Sequence, residues 1–195
     1  MIVAKGEKAL IGAENLCRDD RAAIRSYCML CRTGAELSVA QSITRHYPDL
    51  TAIAPVKKLQ EKRNGQWEQH EQIMLPGYLF LYSERELPFD LCRKVHLLYR
   101  SLEYERGMRI LTGSDEEYAQ WVYRHQGNIG ISKVTIEEGQ NIQVIDGPLL
   151  DCQGTIVKID RHKRRAMVSF IFDGEKRMVS ISVECVHPIE PREGK

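Results

Sequence analysis

The sequence changes its periodicity once, and that change bounds the architecture. Up to about residue 125, apolar residues recur at both helical and strand spacing. From Val134 onward only short β-like runs remain: IQVID, GTIVKID, AMVSFIF, KRMVSIS and CVHPI, with turns between them. No helical pattern appears there. The stretch between, QGNIGISK, is polar and Gly-rich. The chain therefore reads as α+β: a mixed, layered domain of about 100 residues, then a small all-β barrel or sandwich of about 55 residues, within reach of its own core. The predicted division is an N-terminal extension over 1–25, a first domain over 26–125, a linker over 126–134 and a second domain over 135–190.

Within the first domain, Tyr27–Arg32 is apolar and of strand length, Thr33-Gly34 punctuates it, and AELSVAQSITRHY follows at helical spacing until Pro48 closes it. TAIAPVKKLQEKR reads as a second strand. Asn64-Gly65 then marks a two-residue hairpin, because both positions tolerate positive φ. QWEQHEQIM is the return strand, and Tyr78–Tyr82 is a continuous aromatic-rich strand after the Pro76-Gly77 break. FDLCRKVHLLYRSL reads as a helix with Leu91, Val95 and Leu98 on one face. A short strand over Arg109–Leu111 and a helix capped by Ser114 complete the domain.

The 28 Lys and Arg against 27 Asp and Glu give a formal net charge of +1. A neutral total excludes no polyanionic partner, since binding depends on the phosphates that one face neutralises. The densest cluster is RHKRR, at Arg161, His162, Lys163, Arg164 and Arg165, between the runs GTIVKID and AMVSFIF. A hairpin tip must be polar, so this block is expected in solvent as an RNA-binding element, with Lys176 and Arg177 on the next hairpin. Lys57, Lys58, Lys62 and Arg63 make a second basic stretch. Arg93, Lys94, His96 and Arg100 make a third that partly shares a helix face. Lys57, Lys58, Arg63, Arg93 and Lys94 are the further candidate nucleic-acid contacts.

No phosphate-binding loop, HExxH zinc motif or nucleophile elbow is present. Cys28 and Cys31 have metal-ligand spacing but lack a second pair, and in a strand they point to opposite faces. The sequence thus points to no enzyme, no cofactor and no metal. The start lacks a signal-peptide core, no window is apolar for about 20 residues, and the scattered cysteines read as reduced thiols. A cytoplasmic monomer away from membranes is expected.

Two stretches carry a resemblance. GPLLDCQGTIVKIDRHKRRAMVSFIFDG resembles a KOW motif, through Gly147, Pro148, Asp151, Gly154, the basic turn at 161–165, Val168 and Gly174. MLPGYLFLY resembles the FFPGYVLV signature of the NusG amino-terminal (NGN) domain. YCMLCRTGAE resembles that domain's first strand and helix start, with Tyr27 in place of Trp and with Gly34 and Glu36 at the expected spacing. The resemblance covers residues 26 to about 190. It implies an α/β sandwich NGN domain with a mainly antiparallel sheet, then an SH3-like KOW barrel. It also implies a transcription elongation and antitermination factor. Tyr78 and Phe80 match the strand that meets the clamp of RNA polymerase; the KOW domain is expected to bind RNA, ribosomal protein or another factor. Leu79-Phe80 and SERELPFDLCRKVHLL depart from the housekeeping pattern. They bring the chain closer to specialised, operon-specific paralogues such as LoaP, recruited by a nascent RNA hairpin. The other reading is a KOW-type RNA-binding protein acting in translation.

Overall fold

The computed structural model describes residues 24–186 apart from 89, 106 and 137–141. The expected N-terminal extension therefore lies, up to residue 23, outside the described residues, as do residues 187–190. The first domain contains β1 (Arg25–Cys31), α1 (Glu36–His46), β2 (Thr51–Ile53), β3 (Val56–Arg63), β4 (Gln66–Ile73), β5 (Tyr78–Ser83), α2 (Leu91–Lys94), β6 (Leu98–Ser101) and α3 (Gly113–Arg124). Next come β7 (Asn128–Ile129), β8 (Ser132–Ile136), β9 (Ile142–Asp146), a 3-10 turn at Pro148–Asp151, β10 (Thr155–Asp160), β11 (Arg165–Phe172) and β12 (Glu175–Cys185).

One four-stranded sheet, ordered β2-β5-β1-β6, organises the first domain, and its pairings are antiparallel. Its strands alternate as the pleat demands. Tyr27, Met29 and Cys31 of β1, with Leu79 and Leu81 of β5, pack against Val39, Ala40 and Ile43 of α1. Cys28, Phe80 and Tyr82 point the other way, toward Tyr118, Ala119 and Val122 of α3. Both faces are covered, which explains why Tyr78–Tyr82 is an unbroken apolar run. Cys28 and Cys31 sit on opposite faces, as strand geometry requires.

The two stretches that carry the NGN resemblance meet at Glu36. This buried carboxylate accepts the Gly34 N–H through Oε2 at 2.9 Å and the Gly77 N–H through Oε1 at 2.7 Å. Gly77 has φ +84, and a Cβ there would lie 3.2 Å from Thr33 Oγ1. The helix start and the Pro-Gly turn thus share one acidic fastener.

Several elements differ from the sequence expectation. The helix expected to be capped by Ser114 starts at Gly113 with Thr112 at its N-cap, and the stretch 126–134, expected as a linker, holds β7, paired with β3, and the start of β8, paired with β12. FDLCRKVHLLYRSL is not one helix. It is the single turn α2, then Leu97 at φ +66, then edge strand β6 paired with β1. Leu91, Val95 and Leu98 are nonetheless all buried, so the spacing reported burial correctly and the conformation wrongly. TAIAPVKKLQEKR is two strands in different sheets: β2 joins β5, while β3 pairs with β4 and β7 after Pro55, which has no N–H to donate. Arg109–Leu111 contributes only an isolated bridge, Ile110 to Tyr27. The Asn64-Gly65 turn has the expected positive φ values, +48 and +85.

The second domain is a five-stranded sheet, ordered β10-β11-β12-β8-β9, whose side chains enclose Val134, Leu149, Ala166, Val168, Val179, Ile181 and Val183. Gly154 is required here: a Cβ would lie 2.5 Å from Val168 Cγ1 and 3.1 Å from Ser169 O. KRMVSIS lies inside the long strand β12, which ends at Cys185, the first residue of CVHPI; residues 187–189 of that run lie outside the described residues.

Candidate functional site

Tyr78 and Phe80, the polymerase-facing candidates, lie on the α3 side of the sheet, and the second domain covers them. The distal part of the β11–β12 hairpin projects Phe170, Phe172 and Arg177 from one face of the ladder, where Phe170 pairs with Arg177. Phe172 meets Phe80 edge-on at 5.5 Å between centroids and Tyr78 at 5.7 Å. Phe170 stacks on Tyr118 at 4.5 Å. Phe80 and Phe172 are fully buried and Tyr118 is 5% exposed. Arg177 lies over the Tyr78 ring and donates to its hydroxyl at 3.3 Å. The hairpin turn is fastened as well: the Asp173 N–H donates to buried Asp115 Oδ1 at 3.1 Å, and Tyr104 donates to Oδ2 at 2.7 Å.

A second contact runs along the C-terminal end of α3. Trp121 Nε1 donates to Pro148 O at 2.8 Å. Arg124 Nε donates to Asp151 Oδ2 at 2.8 Å, and His125 Nε2 lies 2.8 Å from Oδ1. Partial burial raises the Asp151 pKa, but the bonds from His125 and Arg124 outweigh it and hold the carboxyl below its usual range. A cleft of about 270 Å³ remains between α3 and the barrel, lined in part by Tyr118, Trp121, Cys152 and Phe170.

A third contact joins the β3–β4 hairpin to the barrel. The Gln60 N–H donates to Ser182 Oγ at 3.2 Å, and Arg165 Nη2 donates to Glu61 Oε1 at 3.0 Å. Arg164 stacks its guanidinium 4.3 Å from the centre of the Trp67 ring. RHKRR is therefore divided: Arg161, His162 and Lys163 are exposed, whereas Arg164 and Arg165 are half-buried against the first domain. Four buried polar atoms along these contacts lack a partner, namely Gln60 Oε1, Tyr118 OH, Arg165 Nε and Arg177 Nε.

The other basic candidates are scattered. Lys57 is buried, and burial, with Arg165 nearby, lowers its pKa. Lys58 is half-buried; Lys62 is exposed; Arg63 is exposed beside Glu61 and Glu68. Lys176 is exposed at the turn of the β11–β12 arm. Arg93 and Lys94 are exposed on α2, whose Leu91 packs on the α1 side of the sheet, so the fold does not bring them to the barrel tip. Lys94 pairs with Asp90 at 2.6 Å. His96 and Arg100 share no helix with them, because the helix ends at Lys94.

Sequence reasoning missed Tyr118, Trp121, Phe170 and Phe172 as members of this site. Their spacing reports burial, but nothing in it separates burial within a domain from burial between domains. Burial pushes the Cys28 thiol well up and the Cys31 thiol to about 11, so neither of this pair is an activated nucleophile. Among the described residues, no group of three or more His, Cys, Asp or Glu is placed to hold a metal, and no helix is long and apolar enough to cross a membrane.

The fold is a two-domain α+β protein in which an arm of the second domain covers an aromatic face of the first. No family model matches the chain. Among curated proteins, it is 28% identical over 169 residues to "Transcription termination/antitermination protein NusG" of Buchnera aphidicola, covering 80% of this chain and 92% of that one. It is 26% identical over 152 residues to the protein of that name from Borreliella burgdorferi, covering 72% and 81%. The Escherichia coli K12 protein is 28% identical, with 80% and 92% covered. A solved structure described as "Domain interaction in Thermotoga maritima NusG" aligns with 82% of this chain and 94% of that one, at 18% identity and a TM-score of 0.48. The chain is thus similar, over most of its length, to curated proteins named NusG, at 24–28% identity.

Proposed function

We propose that this protein is a transcription termination/antitermination factor of operon-specific, LoaP-like type. Its first domain engages the RNA polymerase clamp through the Tyr78 and Phe80 face, and the KOW barrel takes a nascent RNA hairpin through its basic tip. The observation that carries this reading is the aromatic face itself: Tyr78, Phe80 and Tyr118 form a contiguous surface whose present cover is an arm of the second domain. Aromatic clusters of this kind anchor partner helices. Engagement requires the β11–β12 arm to withdraw, so polymerase competes with the barrel for one surface. Read-through follows when the factor holds the closed clamp more tightly than the open one, since only differential affinity shifts an equilibrium. The test is co-purification from lysate with wild-type protein and Phe172→Ala. Polymerase recovered more fully with Phe172→Ala supports the reading. Recovery of ribosomes without polymerase from both proteins supports a role in translation instead.

A further inference from the structure

Arg164 is held in an unusual conformation for a charged tip residue. Its φ is +52, in the left-handed region that non-glycine residues seldom adopt. Both of its backbone groups are occupied: its N–H donates to Arg161 O at 3.3 Å, and its C=O accepts the Val183 N–H at 2.9 Å. Asp160 Oδ1 fixes the turn by accepting the Lys163 N–H at 2.9 Å. The result places the guanidinium over the ring of Trp67, a residue 37% exposed on the other domain.

Stacking occupies the face of a guanidinium and leaves its in-plane N–H donors free. Among the described residues, the Arg164 side chain has no hydrogen-bond or ion-pair partner, whereas neighbouring Arg165 is committed to Glu61. Lys62 lies directly across the β3–β4 ladder from Trp67, and Arg161 and Lys163 flank Arg164 in the same turn. No described carboxylate lies within ion-pair distance of Lys62, Arg161 or Lys163. The nearest acids are engaged elsewhere, Glu61 by Arg165 and Asp160 by the turn amide.

We propose that Trp67 and Arg164 form a preorganised phosphate fork, the centre of a composite nucleic-acid site that exists only when the two domains are docked. Lys62, Arg161 and Lys163 would take the adjoining phosphates of one RNA strand. The inference rests on the reading that the basic tip meets RNA, and it adds a residue from the other domain that carries no charge. By linkage, a strand bound across the joint favours the docked arrangement, so it opposes polymerase engagement and is released from the fork when the arm withdraws.

The experiment measures affinity of the full chain for a labelled RNA over a salt series, with DNA of the same sequence as a second arm. Arg164→Ala is expected to weaken binding and reduce the log–log salt slope by about one. Trp67→Ala is expected to weaken binding about two- to fivefold with the slope unchanged, and Trp67→Phe to restore much of it. Trp121 is then the sole tryptophan, and matching emission maxima in Trp67→Ala and Trp67→Phe, both blue-shifted as for a buried indole, show that the domains remain docked. Tighter binding to RNA than to DNA identifies RNA as the ligand; equal binding keeps the fork and makes it a general polynucleotide site. If Trp67→Ala binds as wild type while Arg164→Ala does not, the fork is overturned and the tip reading stands. If wild type binds neither strand, both fall, and the polymerase reading is judged by its own co-purification.

Discussion

Phe172 of the barrel and Phe80 of the first-domain sheet meet edge-on, 5.5 Å between ring centroids, and neither is exposed to solvent. One contact thus joins the strand of the MLPGYLFLY stretch with the second domain's own hairpin. The energetics of the joint decide how readily that strand is uncovered.

Phe172→Ala should loosen the joint. Truncating a buried Phe costs about 3 kcal/mol or more when its surroundings cannot close, and three aromatic neighbours lose a partner here. Trp121 emission, recorded in a Trp67→Phe background where Trp121 is the sole tryptophan, is the readout, because its N–H bond to Pro148 O breaks when the domains part. A red shift is expected while the far-UV circular dichroism remains that of a folded chain. An unshifted spectrum would show that the other contacts hold the domains together without Phe172.

Acid should weaken the α3 end of the joint. Asp151 has a folded pKa below its ordinary 3.8, so its ion pairs stabilise the docked form fully above that ordinary value. The contribution is lost as pH falls through the depressed value. Docking followed by Trp121 emission in the same background should therefore decline in acid, and Asp151→Asn should flatten that part of the profile while weakening docking at neutral pH. An identical acid profile in Asp151→Asn would assign the transition to other carboxylates.

Glu36→Ala should destabilise the first domain by roughly 2–3 kcal/mol, because two backbone N–H groups lose a charged acceptor at a buried site. Glu36→Gln keeps one carbonyl acceptor and should cost less. Urea unfolding measures both. Equal loss in the two variants would mean that the charge, rather than the two acceptors, secures the Gly34 and Gly77 amides.

These residues also show how far the sequence is legible. Glu36, Gly34 and Gly77 were recognisable because short motifs encode a local geometry, a turn meeting a helix start. Asn64-Gly65 was readable for the same reason. The β6 segment was not: Leu91, Val95 and Leu98 have helical spacing, yet the open edge of β1 offers Leu98–Ser101 a ladder that outweighs local preference. The domain joint was illegible altogether. Phe170 and Phe172 alternate as barrel-interior residues do, and only the projection of their hairpin beyond the barrel turns them toward Tyr118 and Phe80. RHKRR suggested an exposed tip, but a charge count cannot show that Trp67 and Glu61 of another domain already meet two of its arginines.

Thiol labelling offers a site-resolved view of the same joint. Cys185 is exposed, whereas Cys28 is buried and Cys152 is half-buried against the cleft between α3 and the barrel. Burial raises the pKa of both Cys28 and Cys152, so the thiolate that reacts is scarce as well as shielded. Cys185 should label before Cys152 and Cys28 in the wild type. In Phe172→Ala, Cys152 should label several-fold faster, because domain separation removes the cover and the cause of its raised pKa together. Cys28 should remain slow, since α3 and β5 still enclose it. Mass spectrometry of each modified peptide measures all three rates in one reaction. Acceleration of Cys28 and Cys152 together would show the first domain itself opening, not the joint.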